Sequence, residues 1–174
     1  AQRYRLEDPL SEGDPIQGRL WRALDTLAGD TPLVIRQVQS SESRQRFQQT
    51  WPLLQSLLHP QLPRCGELLE SHGSLWTVRD WQEGEAYSLI LSQRSERQMV
   101  FGAGEVLLLL RQTLPLLAVI NGRGLVHGDV NPRNLLRRHS DGLPVLLDFG
   151  LVQIRGEAPP VSYTHLRAHE TEQH

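Results

Sequence analysis

Three polar side chains stand close together in an otherwise apolar stretch of the sequence, residues 125–150. Asp129 is followed five positions later by Asn134, and Asp148 comes directly before a Phe-Gly pair. Two carboxylates and one amide are oxygen ligands of the kind that hold Mg²⁺ beside the phosphates of a nucleotide. The stretch therefore predicts a site for a magnesium–nucleotide complex.

The residues between Asn134 and Asp148 predict how these side chains meet. Two short apolar runs, LLRR and VLL, flank the polar segment HSDGLP. An Asp-Gly loop between two such runs is typical of a β-hairpin, which would carry Asp148 back beside Asn134. The alternative is that each polar residue only caps a turn, as single Asp and Asn residues often do.

The order His-x-Asp-x4-Asn, hairpin, Asp-Phe-Gly resembles the catalytic core of the protein kinase superfamily. The resemblance implies a two-lobe α+β fold, with a small antiparallel β-sheet N-lobe over residues 1–84 and a truncated helical C-lobe over residues 85–160. It implies that Asp129 orients and deprotonates the substrate hydroxyl. Asn134, which is also assigned to catalysis, and Asp148 would hold the Mg²⁺ ions that bridge the phosphates of ATP.

The segments expected to grip the phosphates depart from the family pattern. Ser11 stands where the first glycine of a glycine-rich turn is expected, and Gly13 and Gly18 are farther apart than usual. The strand-like run TPLVIRQVQ resembles the V-A-I-K strand of the family, with Arg36 in place of its lysine. Gly13, Gly18 and Arg36 are assigned to nucleotide binding, although arginine does not replace lysine conservatively. All 18 basic residues are arginine, so no neighbouring lysine can take over.

Residues 40–60 carry apolar side chains at helical spacing and predict a helix. In the corresponding helix of the family, a glutamate pairs with the strand lysine, and Thr50 occupies its position. Both halves of that ion pair are therefore changed. Pro52 predicts that the helix begins late or is kinked.

Residues 61–89 predict two strands around a turn, followed by a segment that resembles the hinge of the family, which meets the adenine. Asp80 and Trp81 fall in this hinge and are assigned to nucleotide binding. Arg79 falls near the position that gates the back of the adenine pocket. It would either crowd that pocket or reach solvent from the edge of a strand.

The loop around Asp129 also differs from many regulated kinases. Gly128 replaces an arginine that meets a phosphorylated activation segment, which implies that this control is absent. Asn131 stands in place of a lysine that touches the transferred phosphate, so one positive charge is lost. His127 is expected to pack and to orient its neighbours.

The resemblance therefore implies a bacterial Ser/Thr protein kinase-like domain, with ATP-dependent phosphoryl transfer to a protein hydroxyl that we expect to be weak or lost. The starting run RYRLE, the helix end LLHP and the DFG triplet favour this interpretation. One alternative is a pseudokinase scaffold that binds a protein partner without catalysis. Another is a small-molecule phosphotransferase, because the His-Gly-Asp triplet also resembles aminoglycoside kinases.

Composition and charge bound the remaining possibilities. The chain is 39% hydrophobic and 22% charged with a net charge of −2, which is typical of a soluble globular domain and gives no sign of nucleic-acid binding. The apolar stretch 106–120 is interrupted by Arg111 and Gln112, so we expect a buried helix too short to span a bilayer, and no membrane segment. No apolar leader follows the charged start of the chain, and we predict a cytoplasmic location.

Residues 161–171, VSYTHLRAHET, are similar to the translation of an adapter used in sequencing libraries. We therefore expect 161–174 to be an artefactual tail and the kinase-like chain to be truncated near Pro160. The alternative is a short helix in which His165 and His169 bind a metal ion.

Overall fold

The computed structural model describes residues 3–157, so the adapter-like tail 161–174 and its two histidines lie outside the described residues. The first half of the chain forms a five-stranded antiparallel sheet with the strand order β1-β2-β3-β5-β4. Its strands are β1 (Tyr4–Pro9), β2 (Arg19–Asp25), β3 (Thr31–Val38), β4 (Cys65–Ser71) and β5 (Ser74–Asp80). The predicted strands on both sides of residues 72–73 are confirmed.

Tight turns set the register of this sheet. His72 and Gly73 connect β4 to β5 with φ angles of 50° and 72°, the left-handed backbone that two-residue hairpin turns favour. Strands β2 and β3 pair without interruption, and Arg36 lies opposite Leu20. The sheet therefore holds Arg36 in its middle strand, beneath the loop that joins β1 to β2.

Helix α1 (Ser41–Gln55) packs on this sheet. The side chain of Ser40 caps it by accepting a hydrogen bond from the Ser43 N–H at 3.3 Å. Phe47, Trp51 and Leu54 recur at helical spacing and are buried in the main core. The prediction of a late beginning at Pro52 is wrong, because Pro52 lies in the last turn of an established helix.

The second half of the chain contains two further helices and five short strands. They are β6 (Gly84–Ala86), α2 (Tyr87–Glu96), α3 (Ala103–Gly122), β7 (Leu125–Val126), β8 (Leu135–Arg138), β9 (Pro144–Leu146) and β10 (Gln153–Ile154). Strands β8 and β9 pair antiparallel, which confirms the predicted hairpin, and β6 adds to β8. The small antiparallel sheet with few helices confirms the predicted α+β fold class.

Helix α3 differs from its prediction as a buried core helix. It packs mainly on β7 and β9, with Thr113, Leu116 and Ile120 buried. In the leucine row 107–110, Leu107 is 66% exposed and Leu108 is 54% exposed. The expectation that this row is core is wrong, because apolar composition does not determine which faces of a helix find a partner.

The length of α3 also corrects a prediction about membranes. With 20 residues and a mean hydropathy of 1.6, it is long and apolar enough to cross a bilayer by these two measures. The expectation that this segment is too short is therefore wrong. Core helices of soluble proteins meet the same two measures, so the absence of a membrane segment stays a prediction.

Candidate active site

Two neutral amides hold the carboxylate of Asp129. The Nδ2 group of Asn131 donates to Asp129 Oδ1 at 2.8 Å, and the Nδ2 group of Asn134 donates to Oδ2 at 2.8 Å. Asn134 Nδ2 also donates to the backbone oxygen of Asp129 at 2.9 Å. Both amides use their N–H groups here, so the side-chain oxygen of Asn134 is the acceptor end of its amide and takes no part in holding Asp129. The sequence pattern identified Asn131 only as a missing lysine and did not predict this contact.

His127 fixes the loop that carries Asp129. Its Nδ1 accepts a hydrogen bond from the Asp129 N–H at 3.3 Å, and its Nε2 bonds the Leu147 backbone oxygen at 2.9 Å. The ring packs edge-on against Phe149 with 5.7 Å between centroids. Burial lowers the pKa of the His127 imidazole. The ring is therefore a neutral connector between the loop and the Asp-Phe-Gly segment.

Asp148 is held by a positive charge. It has a φ angle of 56° and accepts a hydrogen bond from the Gly150 N–H at 2.8 Å. Its carboxylate forms an ion pair with the guanidinium of Arg36. Burial pushes the pKa of the Asp148 carboxyl upward, but Arg36 and Arg79 outweigh burial and hold this pKa below its usual value. The carboxylate is ionised, and one of its oxygens is occupied by Arg36.

Arg36 also reaches the loop between β1 and β2. It donates to the backbone oxygen of Gln17, and only 4% of the residue is exposed. Gly13 and Gly18 have φ angles of 97° and 79° in this loop. A cavity of about 200 Å³ lies under the loop, and its walls include both glycines, Arg36 and Asp148. The structure thus brings four of the sequence-predicted residues around one cavity.

Thr50, which the family resemblance aligns with a glutamate, carries no charge. Thr50 is buried, and its hydroxyl donates to the Arg46 backbone oxygen of its own helix at 2.9 Å. The guanidinium of Arg46 instead crosses from α1 to two other segments. Its Nη2 group donates to the Ile16 oxygen at 2.8 Å and to the Gly150 oxygen at 2.7 Å. The sequence pattern did not indicate a role for Arg46.

Comparisons with known proteins agree with this arrangement. The chain is 32% identical to serine/threonine-protein kinase-like protein E of Synechocystis over 84% of its own length and 24% of that protein. It is 30% identical to serine/threonine-protein kinase C of the same organism, over 87% of this chain and 29% of the relative. The chain belongs to the protein kinase superfamily. It is a Ser/Thr protein kinase-like domain that spans about a quarter of the length of these relatives.

Solved structures agree on the fold of this kinase-like chain. The PknI kinase domain of Mycobacterium tuberculosis superposes with a TM-score of 0.66 at 24% sequence identity, over 85% of this chain and 60% of that one. No profile of a known protein family matches the sequence. The family assignment therefore rests on the individual relatives and on the fold.

Arg79, which the family resemblance assigns to the back of the adenine pocket, is a buried arginine. Arg79 is 9% exposed, so the interpretation in which it reaches solvent is wrong. Burial lowers the pKa of its guanidinium to about 10, although Asp148 acts in the opposite direction. The space among Arg36, Arg79 and Phe149 is only about 10 Å³. That volume holds about one water molecule at most.

The predicted hinge residues lie away from these cavities. Asp80 ends β5 opposite Leu33, and its N–H donates to the Arg64 oxygen at 3.0 Å. The indole of Trp81 donates to Glu83 at 2.8 Å. Neither residue is among the walls of the two cavities next to Arg36. Their assignment to nucleotide binding stays a prediction.

The backbone conformation explains why residue 128 is glycine, which the sequence pattern did not indicate. Its φ angle is 78°, and a Cβ placed on it would lie 2.6 Å from the Leu151 backbone oxygen. Only glycine combines this backbone with so close an approach of another chain segment. The residue between His127 and Asp129 is therefore fixed by packing of the loop on residue 151.

The oxygen atoms of Asn134 and Asp148 are the ligand types that Mg²⁺ prefers. Residues 3–157 contain no group of three or more His, Cys, Asp or Glu side chains that could hold a metal ion by themselves. The carboxylate of Asp148 is already paired with Arg36. The chemistry of the donors fits Mg²⁺, but a metal ion at Asp148 must compete with the guanidinium of Arg36.

Proposed function

We propose that this kinase-like domain binds ATP and transfers its terminal phosphoryl group to a protein hydroxyl only weakly or not at all. The observation that carries the proposal is the ion pair between Arg36 and Asp148. The ion pair combines Asp148, which matches the family pattern, with an arginine in place of the family lysine. Asp129, in contrast, keeps a carboxylate held by two neutral amides, which supports its proposed role as the proton acceptor.

In the proposed reaction, the Asp129 carboxylate orients the substrate hydroxyl and accepts its proton. The hydroxyl oxygen forms a bond to the γ-phosphorus, and the bond from that phosphorus to the β-phosphate oxygen breaks, which releases ADP. Bound Mg²⁺ would neutralise the phosphate oxygens, and Asn134 and Asp148 would hold it. Asn131 contributes no charge to the transferred phosphate, because an amide is neutral, and its Nδ2 group is bonded to Asp129.

The rate is expected to be low because both partners of the activating ion pair are changed. Arg36 must turn away from Asp148 before it can contact a phosphate, and Thr50 offers no carboxylate to hold it in the new position. Electrostatic groups of this kind each contribute about 3–4 kcal/mol to transition-state stabilisation. The loss of one correctly placed group would therefore slow transfer by about 100- to 1,000-fold.

A thermal-shift titration with ATP, with and without Mg²⁺, tests binding, and a phosphate-transfer assay on a general protein substrate tests activity. We expect saturable stabilisation by ATP and little transfer. The double substitution Arg36→Lys with Thr50→Glu should raise transfer, because it restores the family pair at both positions. Arg97→Lys with Thr26→Glu, on exposed sites away from the cavity, is the control. Rapid transfer by the unaltered chain would contradict the proposal.

The second candidate is a pseudokinase scaffold that binds a protein partner and no nucleotide. The small space of about 10 Å³ among Arg36, Arg79 and Phe149 favours it, because three large side chains fill the region behind the cavity. Absence of any thermal shift at millimolar ATP would support the scaffold. The relatives are named as protein kinases, which favours a protein over a small molecule as the partner of either form.

A further inference from the structure

Helix α1 lacks the glutamate of the family ion pair, yet it is tied directly to both loops of the candidate site. The tie is Arg46, which lies four positions before Thr50 and therefore on the same face of the helix. Its Nη2 group bonds the Ile16 oxygen at 2.8 Å and the Gly150 oxygen at 2.7 Å. One side chain thus connects the helix, the glycine-containing loop and the Asp-Phe-Gly segment.

Arg36 makes a second connection between the same two loops. It bonds the Gln17 oxygen, next along the chain from Ile16, and the carboxylate of Asp148. The guanidinium carbons of Arg36 and Arg46 lie 5.8 Å and 5.3 Å from the ring centroid of Phe47. Phe47 is fully buried, so both guanidinium groups pack against the same core ring.

The acceptors of Arg46 are main-chain oxygens. Within residues 3–157, no carboxylate lies within ion-pair distance of this guanidinium, and its Nε is buried with no hydrogen-bond partner. Burial and the charge of Arg36 lower its pKa. Partial burial of a charge is unfavourable unless hydrogen bonds compensate for lost water, and two carbonyl oxygens supply them here. The contact therefore positions the backbone at residues 16 and 150 and involves neither of their side chains.

Ser43 strengthens the connection to the loop. Its hydroxyl donates to the same Ile16 oxygen at 2.7 Å, one turn before Arg46 on α1. The loop residues beneath are ordered by their own bonds, because the side chain of Asp14 accepts from the N–H groups of Ile16 and Gln17 at 2.7 and 2.9 Å. This turn is thus anchored to α1 mainly at the Ile16 oxygen, with a longer bond of 3.3 Å from Ser43 to the Pro15 oxygen.

We propose that Arg46 is the positioning residue that couples α1 to the glycine-containing loop and to the Asp-Phe-Gly segment. It replaces the ion pair that Arg36 and Thr50 do not form. The coupling itself is a property of the folded chain. Only its consequence for ATP affinity rests on the proposed function.

Hydrogen–deuterium exchange on the full chain tests this coupling without nucleotide. The variant Arg46→Gln keeps a residue that favours helix formation and removes the Nη2 group that bonds the Ile16 and Gly150 oxygens. We expect exchange in residues 11–18 and 148–152 to become about tenfold faster, equal to about 1.4 kcal/mol of local opening free energy. Strands β4 and β5 should be unchanged. Arg44→Gln on the same helix is the matched control, because it breaks contacts to Glu70 and to the Gly73 backbone oxygen and touches neither of the two tested segments. Both segments should be unchanged in this variant.

Two outcomes would overturn the proposal. Unchanged exchange in both segments would show that Arg46 holds neither loop. Uniformly faster exchange over the whole chain would show a general stabilising role. Failure of ATP to bind would contradict the proposed function but would leave the exchange result interpretable.

A second set of variants tests whether Arg46 replaces the family ion pair. In the background Arg36→Lys with Thr50→Glu, the restored pair should hold α1 against the site. We then expect Arg46→Gln to accelerate exchange in 148–152 by less than about threefold, compared with tenfold in the original chain. The same tenfold effect in both backgrounds would overturn the replacement.

Discussion

The two carboxylates of the site are held by opposite means. Asp129 is gripped by the neutral amides of Asn131 and Asn134, whereas Asp148 is paired with the guanidinium of Arg36. An amide orients a carboxylate and leaves its charge available, while a guanidinium neutralises it. The two proposed roles, proton transfer at Asp129 and metal binding at Asp148, therefore meet different surroundings. Asp129 is held by neutral donors, and Asp148 faces a positive charge of the protein itself.

The largest expected effect lies at the amide-held carboxylate. Asp129→Asn removes the proton acceptor and should reduce phosphoryl transfer by about 100- to 10,000-fold. ATP affinity should change little, because Asp129 does not line the cavity under the loop. Transfer is measured in the original chain or, where that rate is too low, in Arg36→Lys with Thr50→Glu. Asp141→Asn on the exposed hairpin is the control, and equal rates for the two variants would contradict the role of Asp129.

The next largest effect is on the stability of the loop that carries Asp129. Gly128→Ala forces a Cβ to 2.6 Å from the Leu151 oxygen at a positive φ angle. We expect unfolding free energy to fall by about 2–3 kcal/mol, measured by urea denaturation. Gly142→Ala in the β8–β9 hairpin also has a positive φ angle but no atom within 4 Å, so it isolates the contribution of close contact. Equal losses for the two variants would show that the contact at Leu151 costs nothing.

Loss of the ion pair at Asp148 should have a smaller effect on stability, and this effect should depend on pH. Arg36→Met removes one hydrogen-bonded partner of Asp148 but leaves Arg79 as a nearby cation, so we expect a loss of about 1–3 kcal/mol of stability at pH 7. The paired carboxyl has a folded pKa below its ordinary 3.8, so its contribution is complete above pH 3.8 and is lost as the pH falls toward the folded value. The difference between variant and original chain should therefore shrink below pH 3.8. A constant difference at all pH values would contradict the ion pair.

The smallest expected effect is on the pH dependence of stability and comes from His127, which connects the Asp129 loop to the Asp-Phe-Gly segment. Burial lowers the pKa of His127, so the unfolded chain binds a proton more readily than the folded one as the pH falls below the ordinary value of 6.5. The original chain should lose stability on going below that pH. His127→Gln keeps a donor for the Leu147 oxygen and should flatten this part of the pH profile, measured by thermal unfolding between pH 5 and 8. An unchanged profile would assign the pH dependence to other groups.

Sequence patterns predicted the parts of the structure that depend on local spacing. The strands, α1 and the β8–β9 hairpin follow from apolar periodicity and turn residues, and Thr50 lies on α1 as expected. Arg46 could not be identified in this way, because its partners are backbone oxygens, which every residue carries. The sequence indicated only that Arg46 lies four residues before Thr50 and therefore on the same face of α1.

Burial was harder to predict than secondary structure. Arg79 left two interpretations open because the alternation of a strand gives the face of a side chain but not what covers that face. Helix α3 shows the reverse error, since its leucines indicated a core position and several of them are exposed. In both cases the outcome depends on long-range packing, which local composition does not encode.

The guanidinium of Arg36 also determines which reagents can detect this site. A lysine amine can act as a nucleophile toward acylating or sulfonylating groups carried by a nucleotide analogue, whereas a guanidinium stays protonated and does not. The chain contains no lysine, so amine-directed affinity probes would report an empty pocket even when the nucleotide is bound. Dicarbonyl reagents, which condense with guanidinium groups, are the matching chemistry for mapping its occupancy.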